Sequence, residues 1–475
     1  MALTFATSQK IFAALCGLVL LATVHVIMVK TVSHQTKAVI LRGEFVLGME
    51  TILVFMSLMI WRTFLPFLKP FSKPNSSVMG PTSKTNGCTY VETFQDLNFG
   101  HNFQAQNRKI NHVKERFSFL QLILLSYLIL CHMSYLTNIF FISKEPHWFA
   151  MLAYICLGSY IQLSTSIVIV RILSFFVSLI SHSVPPTRKG SGKKLTVIIA
   201  VIYTLIATLF GIYTASQPPA VRQVRIPVKD LPNNLEGLSI VQISDIHLGP
   251  TVGFTKLNMI VDIVNKENPD LVLLTGDLVD GRVESLRRAA EPLSRVVSKY
   301  GNFFVTGNHE YYTGDVDNWF NYLKSLGFTP LHNSNVKIPV KVSGDEGQLC
   351  LAGTDDIQAD TVGYIGHGFD IASAVKGCAK DQPIVLMAHQ PKAAKMALDS
   401  NYRVDLVLSG HTHGGQIFPM IVGAYLLNPF YLGLYKYGQD GSHVYVCEGT
   451  QYWGIPMRIG TSTEITHITL AKASL

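Results

Sequence analysis

Residues 240–247 read IVQISDIH, an apolar run that ends in the polar pattern Asp-x-His. The run is rich in β-branched residues and has the length of one buried strand. The small residue Ser244 precedes the two polar side chains and allows the backbone to turn sharply there. The stretch therefore predicts a strand with Asp245 and His247 at its carboxyl end.

The same arrangement occurs four more times in the C-terminal half of the chain. It is found as LVLLTGD at 271–277, FFVTGNHE at 303–310, IVLMAH at 384–389 and LVLSGHTH at 406–413. Because the carboxyl ends of strands in an open α/β sheet face the ligand crevice, we expect these five segments to bring Asp, His and Asn side chains to one site.

The regions around these motifs alternate short β-branched runs with helical patterns from Val221 onward. This alternation indicates a layered α/β domain. Strands are predicted at 238–243, 271–275, 302–306, 349–352, 384–388, 406–409 and 444–447.

The residue types at the five strand ends suit a pair of transition-metal ions. Neutral imidazoles bind zinc, iron and manganese, whereas carboxylate and amide oxygens fill the harder positions, and one carboxylate can bridge two ions. Two ions about 3.5–4 Å apart can hold a phosphoryl group and activate a water. The candidate ligands are Asp245, His247, Asp277, Asn308, His389, His411 and His413.

The five motifs, in this order between Leu238 and His413, resemble the motif set of the calcineurin-like metallophosphoesterase superfamily. The resemblance implies an αββα sandwich, in which two packed sheets are flanked by helices. It also implies two divalent metal cations, Mn, Fe or Zn, as cofactors. The expected activity is hydrolysis of a phosphomonoester or a phosphodiester by a metal-activated hydroxide.

The resemblance also implies a role for each site residue. One ion is expected on Asp245, His247 and His413, the other on Asn308, His389 and His411, with Asp277 as the bridge. His309 matches the family's non-ligand histidine, which protonates the leaving oxygen or stabilises charge on it, and Asp280 matches the carboxylate that orients that histidine. Gly281 stands where the protein-phosphatase branch has a phosphate-gripping Arg, which disfavours a phosphoprotein substrate.

The N-terminal half is predicted to lie in a membrane. The chain of 475 residues is 48% hydrophobic and only 15% charged, which is unusual for a soluble protein. A bilayer span needs about 20 mostly apolar residues. The candidates are Ile11–Val29, Phe45–Trp61, Phe117–Ile142, Phe149–Val170 and Leu195–Tyr213. The predicted organisation is a membrane region at 1–216 with about five transmembrane helices, the first a retained signal anchor, and a phosphoesterase domain at 217–475.

Charge separates the same two halves. Residues 1–216 carry 18 Lys and Arg against 6 Asp and Glu, whereas residues 217–475 carry 21 against 25. The pI of about 9.0 therefore reflects membrane loops that face an anionic leaflet, and no nucleic-acid partner is predicted. Most of the basic residues of the membrane half lie at 62–116 and 182–194, which predicts cytoplasmic loops there and an extracytoplasmic or lumenal catalytic domain. Lys30, Lys37 and Arg42 are evidence against this orientation, because it places these basic residues on the outer side.

Several features leave alternatives open. If the domain is extracytoplasmic, Cys350 and Cys378 either form a disulfide or remain unpaired buried thiols. His332, His367, His443 and His467 are interpreted as loop or surface residues. The aromatic residues at 418–435 form an apolar substrate wall, a membrane-facing flap or an ordinary core.

Two functions from different classes fit the sequence. One is the metal-dependent phosphoesterase, and the other is a transporter or receptor whose phosphoesterase module is regulatory or inactive. The complete set of seven candidate ligands favours the enzyme. The linker at 214–220 spans at most about 25 Å, which keeps the active site near the bilayer and favours a lipid-linked phosphoester. The sequence indicates no oligomeric state.

Overall fold

The structure of the chain is a computed structural model that describes residues 32–68, 118–180, 189–342, 345–379, 381–438 and 441–473. The predicted span Ile11–Val29 and most of the loop 62–116 lie outside the described residues. Within the described ranges, a set of long apolar helices precedes a domain of two β-sheets.

The long helices are α1 (His34–Leu68), α2 (Phe119–Phe140), α3 (Trp148–Ile180) and α4 (Lys189–Ser216). Each contains a segment of 22 to 33 residues that is apolar enough to cross a bilayer. Helix α1 extends beyond the predicted span Phe45–Trp61 at both ends. Its N-terminal extension includes the charged residues Arg42 and Glu44. Polar groups within the bundle satisfy each other, since His132 Nδ1 lies 2.5 Å from Glu50 Oε2.

The domain is built from short strands and helices that alternate along the chain. Its strands are β1 (Ala220–Val228), β2 (Ser239–Ile243), β3 (Leu271–Thr275), β4 (Asn302–Val305), β5 (Phe328–Pro330), β6 (Ser334–Val342), β7 (Asp345–Gly353), β8 (Ile384–Met387), β9 (Leu406–Ser409), β10 (Gly433–Tyr437), β11 (Ser442–Val446) and β12 (Glu464–Lys472). Its helices are α5 (Phe254–Lys266), α6 (Val283–Ala290), α7 (Asn308–Thr313), α8 (Val316–Ser325), α9 (Gln358–Val362), α10 (Ile371–Ala374), α11 (Pro391–Leu398) and α12 (Met420–Leu427).

The strands form two six-stranded mixed sheets. The first has the order β1-β12-β2-β3-β4-β5, and the second has the order β10-β11-β9-β8-β7-β6. Strands β2, β3 and β4 are parallel neighbours in the first sheet, as are β7, β8 and β9 in the second. The carboxyl ends that carry the polar motifs therefore share one edge in each sheet.

The two sheets pack face to face. Leu273 of β3 shares a buried apolar cluster with Leu408 of β9. The outer face of the first sheet packs on α5 and α8 through residues such as Ile260 and Trp319, and the outer face of the second packs on α11. This arrangement confirms the predicted αββα sandwich.

A segment that precedes β12 joins the domain to the membrane helices. The backbone N–H of Arg458 donates to Gly211 O of α4 at 3.0 Å. A Cβ added to Gly158 of α3 would lie 2.7 Å from both Ile455 Cγ2 and Met457 Sδ. Because glycines allow this close approach, the domain is held directly against α3 and α4.

We expect Gly158→Val to destabilise this contact. Overpacking a tight interface costs about 1–3 kcal/mol, so the thermal unfolding of the full chain in detergent should shift to lower temperature. Gly48→Val is the matched control, because a Cβ at Gly48 of α1 would meet no atom within 4 Å. Equal shifts in the two variants would contradict the interpretation of this contact.

Candidate metal centre

The structure brings all seven predicted ligands to one site at the carboxyl ends of the strands. Asp245 and His247 follow β2, and Asp277 follows β3, with Asn308 at the start of α7 after β4. His389 follows β8, and the pair His411 and His413 follows β9. The first sheet thus contributes four of these side chains and the second sheet contributes three.

The side chains fall into two groups. In the first, His413 Nε2 lies 3.4 Å from Asp245 Oδ1 and 3.0 Å from His247 Nε2. In the second, His411 Nδ1 lies 2.8 Å from Asn308 Oδ1. Asp245, His247 and His413 offer ligand atoms close enough to hold one ion, and Asp277, His389 and His411 do the same for another.

Asp277 lies between the two groups. Its Oδ2 is 3.2 Å from His389 Nε2 and 3.7 Å from His247 Nε2. Its Oδ1 accepts a hydrogen bond from the backbone N–H of His309 at 2.9 Å. The carboxylate therefore faces both groups of ligand atoms while its own orientation is fixed.

Histidine hydrogen bonds leave nitrogen atoms free for metal binding. His389 Nδ1 donates to Thr275 O at 2.7 Å, so its buried Nε2, which faces Asp277 Oδ2, is the nitrogen available to an ion. His247 Nδ1 lies 3.0 Å from Asp280 Oδ1, which leaves Nε2 directed at the site. Metal-binding histidines commonly donate their other N–H to a carbonyl or carboxylate in this way. This chemistry fits a pair of transition-metal ions.

Electrostatics favour metal-binding protonation forms at several positions. Burial lowers the pKa of His411 to about 3 and the pKa of His413 well below its ordinary value, so both rings are neutral. Burial raises the pKa of Asp277, but His389 and His309 lower it well below its usual range. Burial lowers the pKa of His389, but Asp277 raises it far above its ordinary value. A cation bound at the site would therefore compete with a proton for His389.

The turns that carry the ligands are strained. Non-glycine residues with positive φ include Asp245, His247, Asp277, His411 and His413. Such conformations cost on the order of 1–3 kcal/mol each and cluster at functional sites. Two glycines make room for the carboxylates, since a Cβ at Gly307 would lie 2.2 Å from Asp277 Oδ1 and one at Gly410 would lie 2.3 Å from Asp245 Oδ2.

His309 lies beside the two groups and pairs with Asp280. Its Nδ1 is 2.7 Å from Asp280 Oδ1, the same oxygen that faces His247 Nδ1. Burial lowers the pKa of His309, but Asp277 and Asp280 raise it to about 9. The Trp453 ring lies 5.2 Å from the His309 ring and covers it from one side. Asp280 therefore orients two histidines, whereas the sequence suggested only one.

Two buried charged residues support the site from outside it. Glu310 accepts hydrogen bonds from the backbone N–H groups of Gly307, Asp277 and Leu278 at 2.6, 3.0 and 2.8 Å, which ties two of the turns together. Arg458 donates from Nη1 to His413 O at 2.7 Å. No local pattern in the sequence pointed to Arg458.

The remaining four histidines differ in their exposure. His367 is nearly buried and lies 3.4 Å from Asp355 Oδ2, while His332 Nδ1 lies 2.7 Å from Asp355 Oδ1. His443 is buried at the start of β11. The interpretation of His443 as a loop or surface residue is therefore wrong, whereas His367 lies in the loop between α9 and α10.

Comparison with known proteins agrees with the site. Residues 238–415 match the family of calcineurin-like phosphoesterases. A 46% identity over 354 residues relates the chain to "Transmembrane protein with metallophosphoesterase domain" of Danio rerio, across 74% of this chain and 80% of that protein. The chain therefore belongs to the calcineurin-like metallophosphoesterase family, and it is a multi-pass, metal-dependent phosphoesterase.

Further relatives show how far the similarity extends. The Bos taurus protein of the same name is 45% identical over 366 residues, which cover 75% of this chain and 82% of the relative. An uncharacterized metallophosphoesterase of Aquifex aeolicus is 32% identical over 270 residues, which cover 56% of this chain and 97% of the relative. The similarity to the two vertebrate proteins is longer than the α/β domain, so it extends into the membrane helices.

Proposed function

We propose that this protein is a membrane-anchored hydrolase of phosphomonoesters or phosphodiesters with a dinuclear metal centre. The observation that carries the proposal is Asp277, whose carboxylate lies between two groups of buried ligand atoms. The proposed division places the membrane region, with about five spans, at 1–216 and the catalytic domain at 217–475. In support, α4 ends at Ser216 and β1 begins at Ala220.

The ligand roles follow from the two groups of side chains. One ion is assigned to Asp245, His247 and His413, and the other to Asn308, His389 and His411, with Asp277 shared between them. When bound, two such ions polarise a phosphoryl group and lower the pKa of a nearby water toward neutrality. Nitrogen and oxygen donors of this kind are compatible with Mn, Fe or Zn.

His309 is proposed to act as the general acid. Because its Nδ1 pairs with Asp280, Nε2 is the atom left to donate a proton to the leaving oxygen. The two neighbouring carboxylates favour the protonated ring. Trp453 limits the access of water to that ring from one side.

The activity is tested with soluble esters. Full-length protein in detergent should hydrolyse bis-p-nitrophenyl phosphate or p-nitrophenyl phosphate, lose that turnover after treatment with EDTA, and regain it with Mn²⁺, Zn²⁺ or Fe²⁺. Absence of turnover with every ion would instead support a transporter or receptor with an inactive phosphoesterase module.

The catalytic domain is proposed to lie on the extracytoplasmic or lumenal side. The domain contacts the helix ends near Ala38, Lys144 and Ala215, whereas Leu68 O accepts a hydrogen bond from Ser118 Oγ at the opposite end of the bundle. The basic segments 62–116 and 182–194 follow from that opposite end, which the positive-inside rule assigns to the cytoplasm. A Cys350–Cys378 disulfide also suits an oxidising compartment.

We expect protease added to sealed vesicles to spare this domain until detergent opens them. Cysteine labelling provides a second measurement, because Cys350 and Cys378 should react with a maleimide only after reduction and denaturation. Digestion of the domain in intact vesicles, together with labelling without reduction, would show that the topology is inverted or that the chain has one span fewer.

The preferred substrate is proposed to be a membrane-associated phosphoester. The link between α4 and β1 is limited to residues 217–219, which spans only about 10 Å. The active site is therefore confined near the bilayer, where a lipid-linked phosphoester has a high effective concentration.

A further inference from the structure

A cavity connects the metal centre to the membrane helices. Its volume is about 680 Å³, within the range of about 300–1,000 Å³ that holds organic ligands. One end is lined by site residues, including His247, Asp277 and Asn308. The other end lies among α1, α2 and α3. Both ends belong to the same cavity, so a molecule at the metal centre can extend into the bundle.

The membrane end of the cavity is mainly apolar. Its walls include Phe45, Val46 and Met49 of α1, and Leu157 and Ile161 of α3. Phosphate and sugar groups bind poorly to such walls, whereas each buried CH₂ group of a hydrocarbon chain gains about 0.8 kcal/mol. The shape and chemistry therefore suit a ligand with a phosphate at one end and a hydrocarbon chain at the other.

Two polar side chains from the membrane helices also line the cavity. Arg42 of α1 makes no hydrogen bond or ion pair with any residue that the structure describes. The amide oxygen of Asn138, on α2, is buried and has no hydrogen-bond partner in the same described part of the chain. Burial of the Asn138 amide oxygen without a partner is costly, whereas Arg42 is only partly buried and can bind phosphate oxygens through charge-assisted hydrogen bonds. Arg42 thus offers a cation to a phosphate. The domain itself has Gly281, and not an Arg, directly after Asp280.

Helix α12 borders the same cavity and exposes an apolar surface. Met420 and Ala424 line the cavity, whereas Leu426 and Leu427 are 71% and 74% exposed. The residue Phe418, two positions before α12, is tied to α3, because Gln162 Nε2 donates to Phe418 O at 2.6 Å. In a bilayer, the exposed leucines of α12 would contact lipid beside the cavity, which would give a lipid a route to it.

We infer that this cavity binds a lipid phosphoester, with its hydrocarbon chain among α1, α2 and α3 and its phosphate held by Arg42 beside the metal centre. The inference rests on the proposed hydrolase function and names the substrate class of that site. Arg42 is assigned as a phosphate-binding residue, supplied by a membrane helix instead of by the catalytic domain.

The first test compares lipids with their soluble headgroups. Wild-type protein in mixed micelles is given dioleoyl-phosphatidic acid and glycerol 3-phosphate, and dioleoyl-phosphatidylglycerol and glycerophosphoglycerol, with bis-p-nitrophenyl phosphate as the soluble reporter. We expect kcat/KM for at least one lipid to exceed that for its headgroup by about tenfold or more. Equal values for both pairs would overturn the inference, and turnover of the reporter would still support the proposed hydrolase.

The second test fills the cavity and removes its cation. Val46→Trp should lower the ratio of lipid turnover to reporter turnover by about tenfold, whereas Leu47→Trp, on the neighbouring residue that is 69% exposed and lies outside the cavity, should not. Arg42→Gln should raise KM for the lipid on the order of tenfold, through loss of a charge-assisted hydrogen bond. It adds no bulk, so it remains informative if Val46→Trp fails to fold.

The third measurement does not depend on turnover. Native mass spectrometry of the EDTA-treated full chain should show retained dioleoyl-phosphatidic acid, with less retained by Val46→Trp and by Arg42→Gln than by Leu47→Trp. Equal retention by all variants, or an unchanged ratio of lipid to reporter turnover, would overturn the assignment of the cavity. Lack of reporter turnover with any ion would instead overturn the hydrolase function.

Discussion

Replacement of Asp277 by Ala is expected to remove both the activity and most of the bound metal. The carboxylate lies within 3.7 Å of a histidine nitrogen in each ligand group, so its loss weakens both ion sites at once. Since metal ions contribute several kcal/mol to phosphoryl chemistry, turnover of bis-p-nitrophenyl phosphate should fall on the order of 1,000-fold or more. Metal content is measured on the same preparation by inductively coupled plasma mass spectrometry.

Asp262→Ala is the matched control for this variant. Asp262 is an exposed carboxylate that pairs with Arg295 at 2.9 Å on the surface of the domain. It should retain wild-type metal content and turnover. Full metal retention by Asp277→Ala would show that this carboxylate does not bridge the two groups.

Replacement of His309 by Ala is expected to separate chemistry from metal binding. The ring pairs with Asp280 and lies outside the seven assigned ligands, so both ions should remain. Turnover should nevertheless slow on the order of 100-fold or more, because a general acid contributes about 100- to 10,000-fold. The measurement again pairs metal analysis with steady-state kinetics.

The control for the histidine variant is His467→Ala. His467 lies on β12 and pairs with Glu267 at 2.7 Å, away from the metal centre. Because His309 also has a ligand atom close to those of His247 and Asp277, loss of ions from His309→Ala would make it a metal ligand. The role of general acid would then be wrong.

The strands that precede the polar motifs could be predicted from sequence because each is a mainly apolar run. The predicted run at 271–275 has the same bounds as β3, and all of its residues are buried. Strand β10 was missed because its residues alternate between intermediate and exposed positions at a sheet edge. Strand β5 has only three residues and ends in Pro330, so no periodic pattern identifies it. Edge strands depend on neighbours that are distant in sequence, which a local pattern does not record.

The metal ligands could be predicted from sequence, whereas some of the residues that support them could not. The ligands follow apolar strands within short motifs, so the sequence alone indicated that they meet at one edge of each sheet. The contacts of Arg458 with His413 and of Arg42 with the cavity link segments from different parts of the chain. No spacing along the sequence encodes such contacts, because they form only when segments that are distant in sequence pack together.

The aromatic residues at 418–435 lie in different environments, so no single one of the interpretations left open by the sequence applies to all of them. Phe430 is buried in the core beside the second sheet, whereas Tyr425 on α12 is 64% exposed. Met420 and Ala424 of the same helix line the cavity. The helix thus has a cavity-facing side and an exposed side, and composition alone could not assign them.

The most direct test of the dinuclear centre is the number of metal ions bound by the wild-type full-length chain in detergent. Inductively coupled plasma mass spectrometry, normalised to protein concentration by amino-acid analysis, should give two transition-metal ions per chain. Stepwise removal with a chelator should abolish turnover of bis-p-nitrophenyl phosphate in parallel. One ion or none in fully active protein, or turnover that survives complete removal of metal, would contradict a dinuclear metallophosphoesterase.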